Sequence, residues 1–513
     1  MKYLRKSPVC SVVIALLVST SMAQVPEESF RSHWGERYEA IESDSRSAGE
    51  SENASLRSAL SSIQRWNRIA IDASGLDHTP VRPGEPRVFG EQLGPCRAAR
   101  AMAIVHIAIF EALNASTKRC QSFVGLHPAP SKTDRNASIA QAAHDTLKVL
   151  FPSQAPRFSV LLAEDLDAIP DRASKRFAIN LGRTAALATL GQSYNDGSAH
   201  AEPRLGTGFI PSNDPGFWRQ DPISQLPVAM GAEWALRVRP LVMPSASFFR
   251  LPPPPAMTSA EYTAAFDEVK QLGGDGITTP TTRTEEQTQI GIYWAYDGTP
   301  SLCAPPRLYN QIAVQIAEQM GSNDLETARL LALVNIAMSD AGIAAWDSKY
   351  HYQVWRPVGG IRESDPGTGP TGLGDGNANT VGDPSYSPLG APASNLQGPN
   401  FTPPFPAYPS GHAVFGAALF QMLRNFYGRD DVSFTFVSDE LNGITRDNQG
   451  QVRPLVPRSF SSFSQAEEEN GQSRIYLGIH WSFDKTGGIA QGRQVADYIY
   501  ARVYRPVGAT VPQ

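Results

Sequence analysis

A helix over residues Ala98–Leu113 would be apolar almost all round, which leaves it no face to give to water. Other elements must cover it on every side, and the rest of the chain supplies the cover as further helices. Ile139–Leu150, Phe158–Ala168 and Ala173–Leu190 carry apolar residues at helical period. Four consecutive prolines at 252–255 exclude both helix and central strand, so residues 251–256 predict a domain boundary. Beyond it helical patterns resume at Ser259–Leu272, Arg283–Trp294, Leu308–Met320, Leu325–Trp346, Gly411–Tyr427 and Lys485–Tyr504. Little reads as strand. The expectation is an all-α protein of two helical bundles, 24–250 and 257–513, with long Gly/Pro-rich loops such as 363–404.

Residues 1–23 read as an export signal. Lys2, Arg5 and Lys6 precede an apolar stretch Val9–Val18 and the small-residue site Ser21-Met22-Ala23. The stretch is too short to span a bilayer, and no other uninterrupted apolar run reaches that length, so the expectation is a soluble protein, secreted or periplasmic, without a membrane span. Cleavage would leave Cys96, Cys120 and Cys303. A Cys96–Cys120 disulfide would need the chain to fold back after a helix roughly 30 Å long. Asn53, Asn114 and Asn136 stand in N-x-Ser sequons. Lys and Arg number 45 against 50 Asp and Glu, a net charge of -5 that argues against a nucleic-acid partner. Asp375, Asn377 and Asn379 have calcium-loop spacing but lack the glycine and glutamate such a loop needs, and read as a solvated loop.

The chemistry lies in three segments, each bland alone. In Lys349-Tyr350-His351-Tyr352-Gln353-Val354-Trp355-Arg356-Pro357 two cations stand seven residues apart, which on a continuous helix is one face. Pro409-Ser410-Gly411-His412 leads straight into a helix, with Ser410 as N-cap and Gly411 offering an unhindered amide where anions bind. In the third, Ser473 to Asp484, His480 and Asp484 stand at i and i+4 on a presumed helix, a spacing at which the carboxylate accepts from one ring nitrogen while the other faces a ligand. Together Lys349, Arg356, Arg474, Ser410, Gly411, His412 and His480 describe a pocket for a tetrahedral, multiply charged oxyanion. Burying three cations without an anion would be very costly.

This constellation resembles the vanadium-dependent haloperoxidases and the superfamily they share with type 2 phosphatidic acid phosphatases and bacterial acid phosphatases. The family pattern Lys-x6-Arg-Pro, Pro-Ser-Gly-His and Ser-Arg-x5-His-x3-Asp is met at every fixed position between Lys349 and Asp484. The resemblance implies vanadate as cofactor, with phosphate able to occupy the same site. His480 would be the vanadium ligand with Asp484 behind it. Lys349, Arg356, Ser410, Gly411 and Arg474 would bind the oxyanion, and His412 would serve as acid–base residue, with Lys349 polarising the peroxide. Trp346 and Phe405 resemble the halide wall of the chloroperoxidase subgroup, and Asp297, in Tyr293-Trp294-Ala295-Tyr296-Asp297-Gly298, the carboxylate that pairs with pocket arginines. Implied partners are hydrogen peroxide and chloride or bromide; no organic acceptor and no oligomeric state are read from the sequence. The alternative within the superfamily is an exported acid phosphatase working through a phosphohistidine. A non-catalytic oxyanion-binding protein is the alternative outside enzymes.

Overall fold

The computed structural model of the protein describes residues 29–41, 60–130 and 132–509, and the expected export signal lies outside them. Among the described residues helices dominate: α1 (Phe30–Trp34), α2 (Ser62–Asp77), α3 (Pro95–Thr117), α4 (Arg135–Leu150), α5 (Ala155–Asp167), α6 (Ala173–Gln192), α7 (Trp234–Arg237) and α8 (Ala260–Leu272). There follow α9 (Glu285–Tyr293), α10 (Pro306–Gln319), α11 (Asp324–Tyr352), α12 (Pro357–Arg362), α13 (Gly411–Tyr427), α14 (Phe463–Tyr476) and α15 (Ser482–Tyr500). The strands form two small antiparallel pairs, β1 (Glu39–Ala40) with β2 (Leu396–Gln397), and β3 (Phe434–Asn442) with β4 (Leu455–Phe460). The protein is all-α in class.

The helix expected to be buried all round is α3, and its polar residues are each matched inside the core. Arg97 pairs with Glu202, Arg100 Nε with Asp196 at 2.5 Å, His106 Nε2 with Asn67 at 2.9 Å, and Glu111 accepts from the Ser122 hydroxyl at 2.6 Å. α11 is the second central helix. Asn323 caps it in a reciprocal capping box with Glu326, acidic residues occupy its first turn, and Lys349 and His351 its last, in the sense its dipole favours. By length and composition α3 and α11 could each cross a membrane, yet 100% and 94% of their most apolar windows are buried against other parts of this fold. Residues 251–256 run as non-helical chain, as the prolines require. The largest apolar cluster is continuous across them, joining Trp66 and Phe110 to Leu331, Phe415 and Val495.

α13 and α15 pack closest where α15 has glycines. A Cβ on Gly492 would fall 2.2 Å from the Val414 carbonyl oxygen, and one on Gly488 would fall 2.8 Å from Ala413 Cβ and 2.9 Å from the Ser410 oxygen. This approach brings the start of α13, with Ser410 and His412, beside the start of α15, with Asp484.

Several expectations need correction. Cys96 and Cys120 are free, with α3 holding them apart. Asp375 and Asn377 are buried rather than solvated: Asp375 accepts from the Asn377 amide and the Thr380 hydroxyl, and the Asn377 side chain donates to the Met257 carbonyl at 2.7 Å. Asn114 is buried with both ends of its side chain bonded to the Cys120 backbone, so that sequon is closed to modification in the folded protein. The β3–β4 pair, α2 and α14 were not anticipated.

Gly492→Ala should destabilise the protein by roughly 1–3 kcal/mol, the usual cost of overpacking a close helix contact. Chemical unfolding monitored by circular dichroism measures it. An unchanged midpoint would show that the α13–α15 contact is not held this closely.

Candidate active site: a cationic pocket at converging helix ends

Four elements end at one place. Lys349 comes from the last turn of α11, Arg356 from the N-cap of α12, Ser410, Gly411 and His412 from the start of α13, and Arg474 from the last turn of α14. His480 and Asp484 flank the start of α15. Lys349, Arg356 and Arg474 are 0%, 2% and 0% exposed. Two local expectations change. α11 stops at Tyr352, where Gln353 adopts a left-handed φ of 50°, so Lys349 and Arg356 do not share a helix face; the turned chain still brings both to the pocket. His480 is not helix-borne, but lies in the turn before α15, whose N-cap is Trp481. Asp484, in the first turn, receives the Trp481 amide at 3.0 Å and faces back to His480.

The segment 403–409 acts as a row of acceptors. Lys349 Nζ donates to the carbonyls of Pro406 at 2.8 Å, Ala407 at 3.0 Å and Pro409, so its three donors are engaged and its charge remains uncompensated. Arg356 Nε donates to the Phe405 carbonyl at 2.9 Å, and Nη1 to the Ile479 carbonyl at 2.8 Å. His480 Nδ1 donates to Asp484 Oδ2 at 2.7 Å, which fixes the tautomer and leaves a lone pair on Nε2 that accepts from Arg356 Nη1 at 2.8 Å. Arg474 Nη2 meets both oxygens of Asp297, at 2.7 and 2.9 Å, as the sequence resemblance implies for that carboxylate. Its Nε and Nη1 are buried with no partner. His412 Nε2 donates to the Ala295 carbonyl. The His412 carbonyl in turn receives Tyr309 Oη at 3.1 Å and Asn470 Nδ2 at 2.9 Å.

The electrostatics follow from burial of more positive than negative charge. Burial, and next the neighbouring Arg356, push Lys349 well below its ordinary pKa, and burial brings Arg356 down to about 9. Burial, then Arg474, pushes His412 down, and burial, then Arg356, does the same to His480, so both imidazoles are neutral. Burial raises Asp297, and raises Asp484 to about 7. Three cations, a helix N-terminus with the Gly411 amide, and two orphaned guanidinium donors make a seat for an oxyanion with several charged oxygens. An unpartnered buried donor costs about 1–3 kcal/mol, and an anion there would remove that cost.

A cleft reaches this seat and is lined by Asp297, Gly411, His412, Arg474 and His480 together with Trp346 and Phe405. The two rings stand 5.0 Å apart between centroids, with Lys349 Nζ 5.6 Å from the first and 5.0 Å from the second. Of the site residues expected from the sequence, seven line the cleft, while Lys349, Arg356, Ser410 and Asp484 stand behind it, the first two and Asp484 in contact with Phe405 or His480. Sequence reasoning missed Tyr309 and Asn470, which hold His412, and His33, His78 and Met230, which line the cleft. None of these lies in a motif, and their roles depend on contacts between distant segments.

Comparison with known proteins agrees with this geometry. The family of the VCPO second helical-bundle domain matches residues 329–509. The vanadium chloroperoxidase of Curvularia inaequalis is 30% identical over 500 residues, covering 82% of this chain and 78% of its own. A crystal structure of a bacterial vanadium-dependent iodoperoxidase superposes with a TM-score of 0.63 at 25% identity, covering 85% of this chain and 95% of that one. A holo bacterial vanadium-dependent chloroperoxidase shares the fold, with a TM-score of 0.58 at 18% identity over 82% of this chain and 95% of that one. Fold and site together define a helical oxyanion-binding enzyme. The chain belongs to the vanadium haloperoxidase family.

Inorganic phosphate should raise the melting temperature of the wild-type protein, by the equivalent of about 2.7 kcal/mol at a hundredfold excess over Kd. Arg474→Ala should lose that rise. Differential scanning calorimetry across a phosphate titration checks it, and an equal rise in both proteins would remove Arg474 from the seat.

Proposed function

We propose that this protein is a vanadate-dependent haloperoxidase that oxidises chloride or bromide with hydrogen peroxide to hypohalous acid. The observation that carries the reading is the pairing of two features in one cleft. A seat of buried cations with a neutral His480 Nε2 suits a metal oxyanion, and an apolar wall of the same cleft, made by the packed rings of Trp346 and Phe405 and overlooked by Lys349, suits a weakly hydrated halide. The residues present fit vanadate: Arg474 has two orphaned donors for its oxygens, and His480 has its second nitrogen locked by Asp484 in the tautomer a metal ligand needs.

In this reading Arg474, the Ser410 hydroxyl and the Gly411 amide donate to the oxyanion, Lys349 and Arg356, whose donors rest largely on carbonyls, hold it by their charge, and His480 would supply the ligand nitrogen by giving up its Arg356 contact. Bound there, vanadium(V) supplies a Lewis acid that activates peroxide without changing oxidation state. His412, with Nε2–H on the Ala295 carbonyl, keeps its lone pair on Nδ1 and accepts a proton from hydrogen peroxide at that atom. Lys349 places its charge where the reacting oxygen becomes negative. Trp346 and Phe405 exclude water from the halide side. Asp297 holds Arg474 in place. Phosphate, with the same shape and charge, competes for the seat. Residues 257–513 carry the seat, residues 24–250 brace it, and the basic, apolar and small-residue order of residues 1–23 supports export to a secreted or periplasmic location.

Protein reconstituted with orthovanadate should halogenate dimedone with peroxide and bromide or chloride. Phosphate-ester hydrolysis without peroxide-dependent halide oxidation would overturn the proposal in favour of a phosphatase. His480→Ala should retain almost no vanadium after gel filtration, as elemental analysis would show. Phe405→His should lower the ratio of chloride to bromide kcat/KM by roughly tenfold, a change of about 1.4 kcal/mol in relative barrier. An unmoved ratio would detach Phe405 from halide selection.

A further inference from the structure

The two packed rings of the aromatic wall, Trp346 and Phe405, are also tied together through a residue from the other half of the chain. The Met230 amide donates to the Pro404 carbonyl at 2.9 Å, immediately before Phe405. The Met230 carbonyl accepts from Trp346 Nε1 at 3.0 Å and from the Tyr350 hydroxyl at 2.8 Å. The backbone of this one residue is therefore bonded both to the Trp346 indole and to the main chain that carries Phe405. Gly231 follows with a φ of +76°, and a Cβ there would fall 2.1 Å from Trp346 Nε1, so the turn lies directly on the indole.

The turn itself is pinned by a buried charge. The Gly231 amide donates to one oxygen of Glu202 at 2.5 Å, and the other oxygen pairs with Arg97 from the first turn of α3. Glu202 is 6% exposed and Arg97 4%. Next to Glu202, the Pro203 carbonyl accepts the Ala229 amide at 2.8 Å, which fastens the turn at a second point. Charge-assisted bonds in a buried setting are short and directional, and removing one partner leaves the other uncompensated. A chain of contacts thus runs from α3 through Arg97, Glu202 and the 229–231 turn to both rings, and none of Arg97, Glu202 or the 229–231 turn bonds to Lys349, Arg356 or Arg474.

We infer that Glu202 is a positioning residue that sets the placement of the Trp346–Phe405 wall in the cleft, so that halide preference is governed in part by the half of the chain that carries no catalytic motif. The inference rests on the haloperoxidase reading. Glu202→Gln keeps the side chain's size and one acceptor but removes the charge that holds Arg97 and the Gly231 amide. Two measurements on the full chain separate the possibilities. In protein labelled with ¹⁵N-tryptophan, the Trp346 indole N–H resonance, assigned with Trp346→Phe, should move in Glu202→Gln while the protein still binds inorganic phosphate within about twofold of wild type. After reconstitution with vanadate, the ratio of chloride to bromide kcat/KM should change by threefold or more, and Glu202→Asp should return part of that change. An unmoved indole resonance overturns the inference. So does a moved resonance with an unchanged ratio, or a fall in phosphate binding and both halide rates in common proportion, which is what general loosening would give. If Glu202→Gln does not fold, Arg97→Lys applies the same test from the other end of the pair. If the wild-type protein oxidises no halide, the haloperoxidase reading falls, and the indole resonance still decides whether Glu202 positions Trp346.

Discussion

Three positive charges without solvent are the constraint around which this molecule is arranged. Lys349, Arg356 and Arg474 are effectively inaccessible, and among the described residues the carboxylates that oppose them at close range are Asp297 and Asp484. A fold that loses this much hydration must recover it through fixed dipoles, and the structure does so with backbone. Carbonyls at 403–409 and Ile479 take up the donors of Lys349 and Arg356, and the start of α13 faces the same space. Those groups can only converge because α11, α13 and α15 approach closely, which in turn depends on glycines at 488 and 492. Packing and charge are therefore one problem here. The glycine contact that seats α15 on α13 also sets Asp484 behind His480.

Much of this was legible in the sequence, for physical reasons that differ from element to element. α3 and α11 announce themselves because a helix buried on all sides is apolar on all sides. The start of α13 was readable from Ser410, since a cap satisfies local backbone donors. α14 was missed for the opposite reason. Its buried face presents Glu467, Asn470, Ser473 and Arg474 to the pocket and its surroundings, so the apolar periodicity that marks other helices is absent. The β3 strand alternates inward Phe434 and Phe436 with outward Thr435 and Val437, a pattern too short to stand out beside the helical signals.

At the site, residue types and spacing identified the cluster but not its backbone. Spacing placed His480 on a helix and Lys349 and Arg356 on one face; a turn and a left-handed Gln353 deliver the same side chains by another path. Function depends on where the groups meet, so the motif survived the error in local geometry. Contacts made across the chain were invisible. Tyr309 and Asn470 reach the His412 carbonyl over more than fifty residues, and Glu202 acts on Trp346 only through the main chain of a third segment. No periodicity encodes such meetings.

The strip Pro403-Pro404-Phe405-Pro406-Ala407-Tyr408-Pro409 has one more property. Four of its seven residues are prolines, which carry a carbonyl but no N–H. It is thus an electrically one-sided surface, rich in lone pairs and poor in protons to give. Cations rest on it, and anions find little to bind there. Lys349 and Arg356 are held on this strip, while the amide end of α13 and the unpartnered nitrogens of Arg474 supply protons from other elements, so the composition of a segment without catalytic groups divides the pocket into an accepting and a donating part.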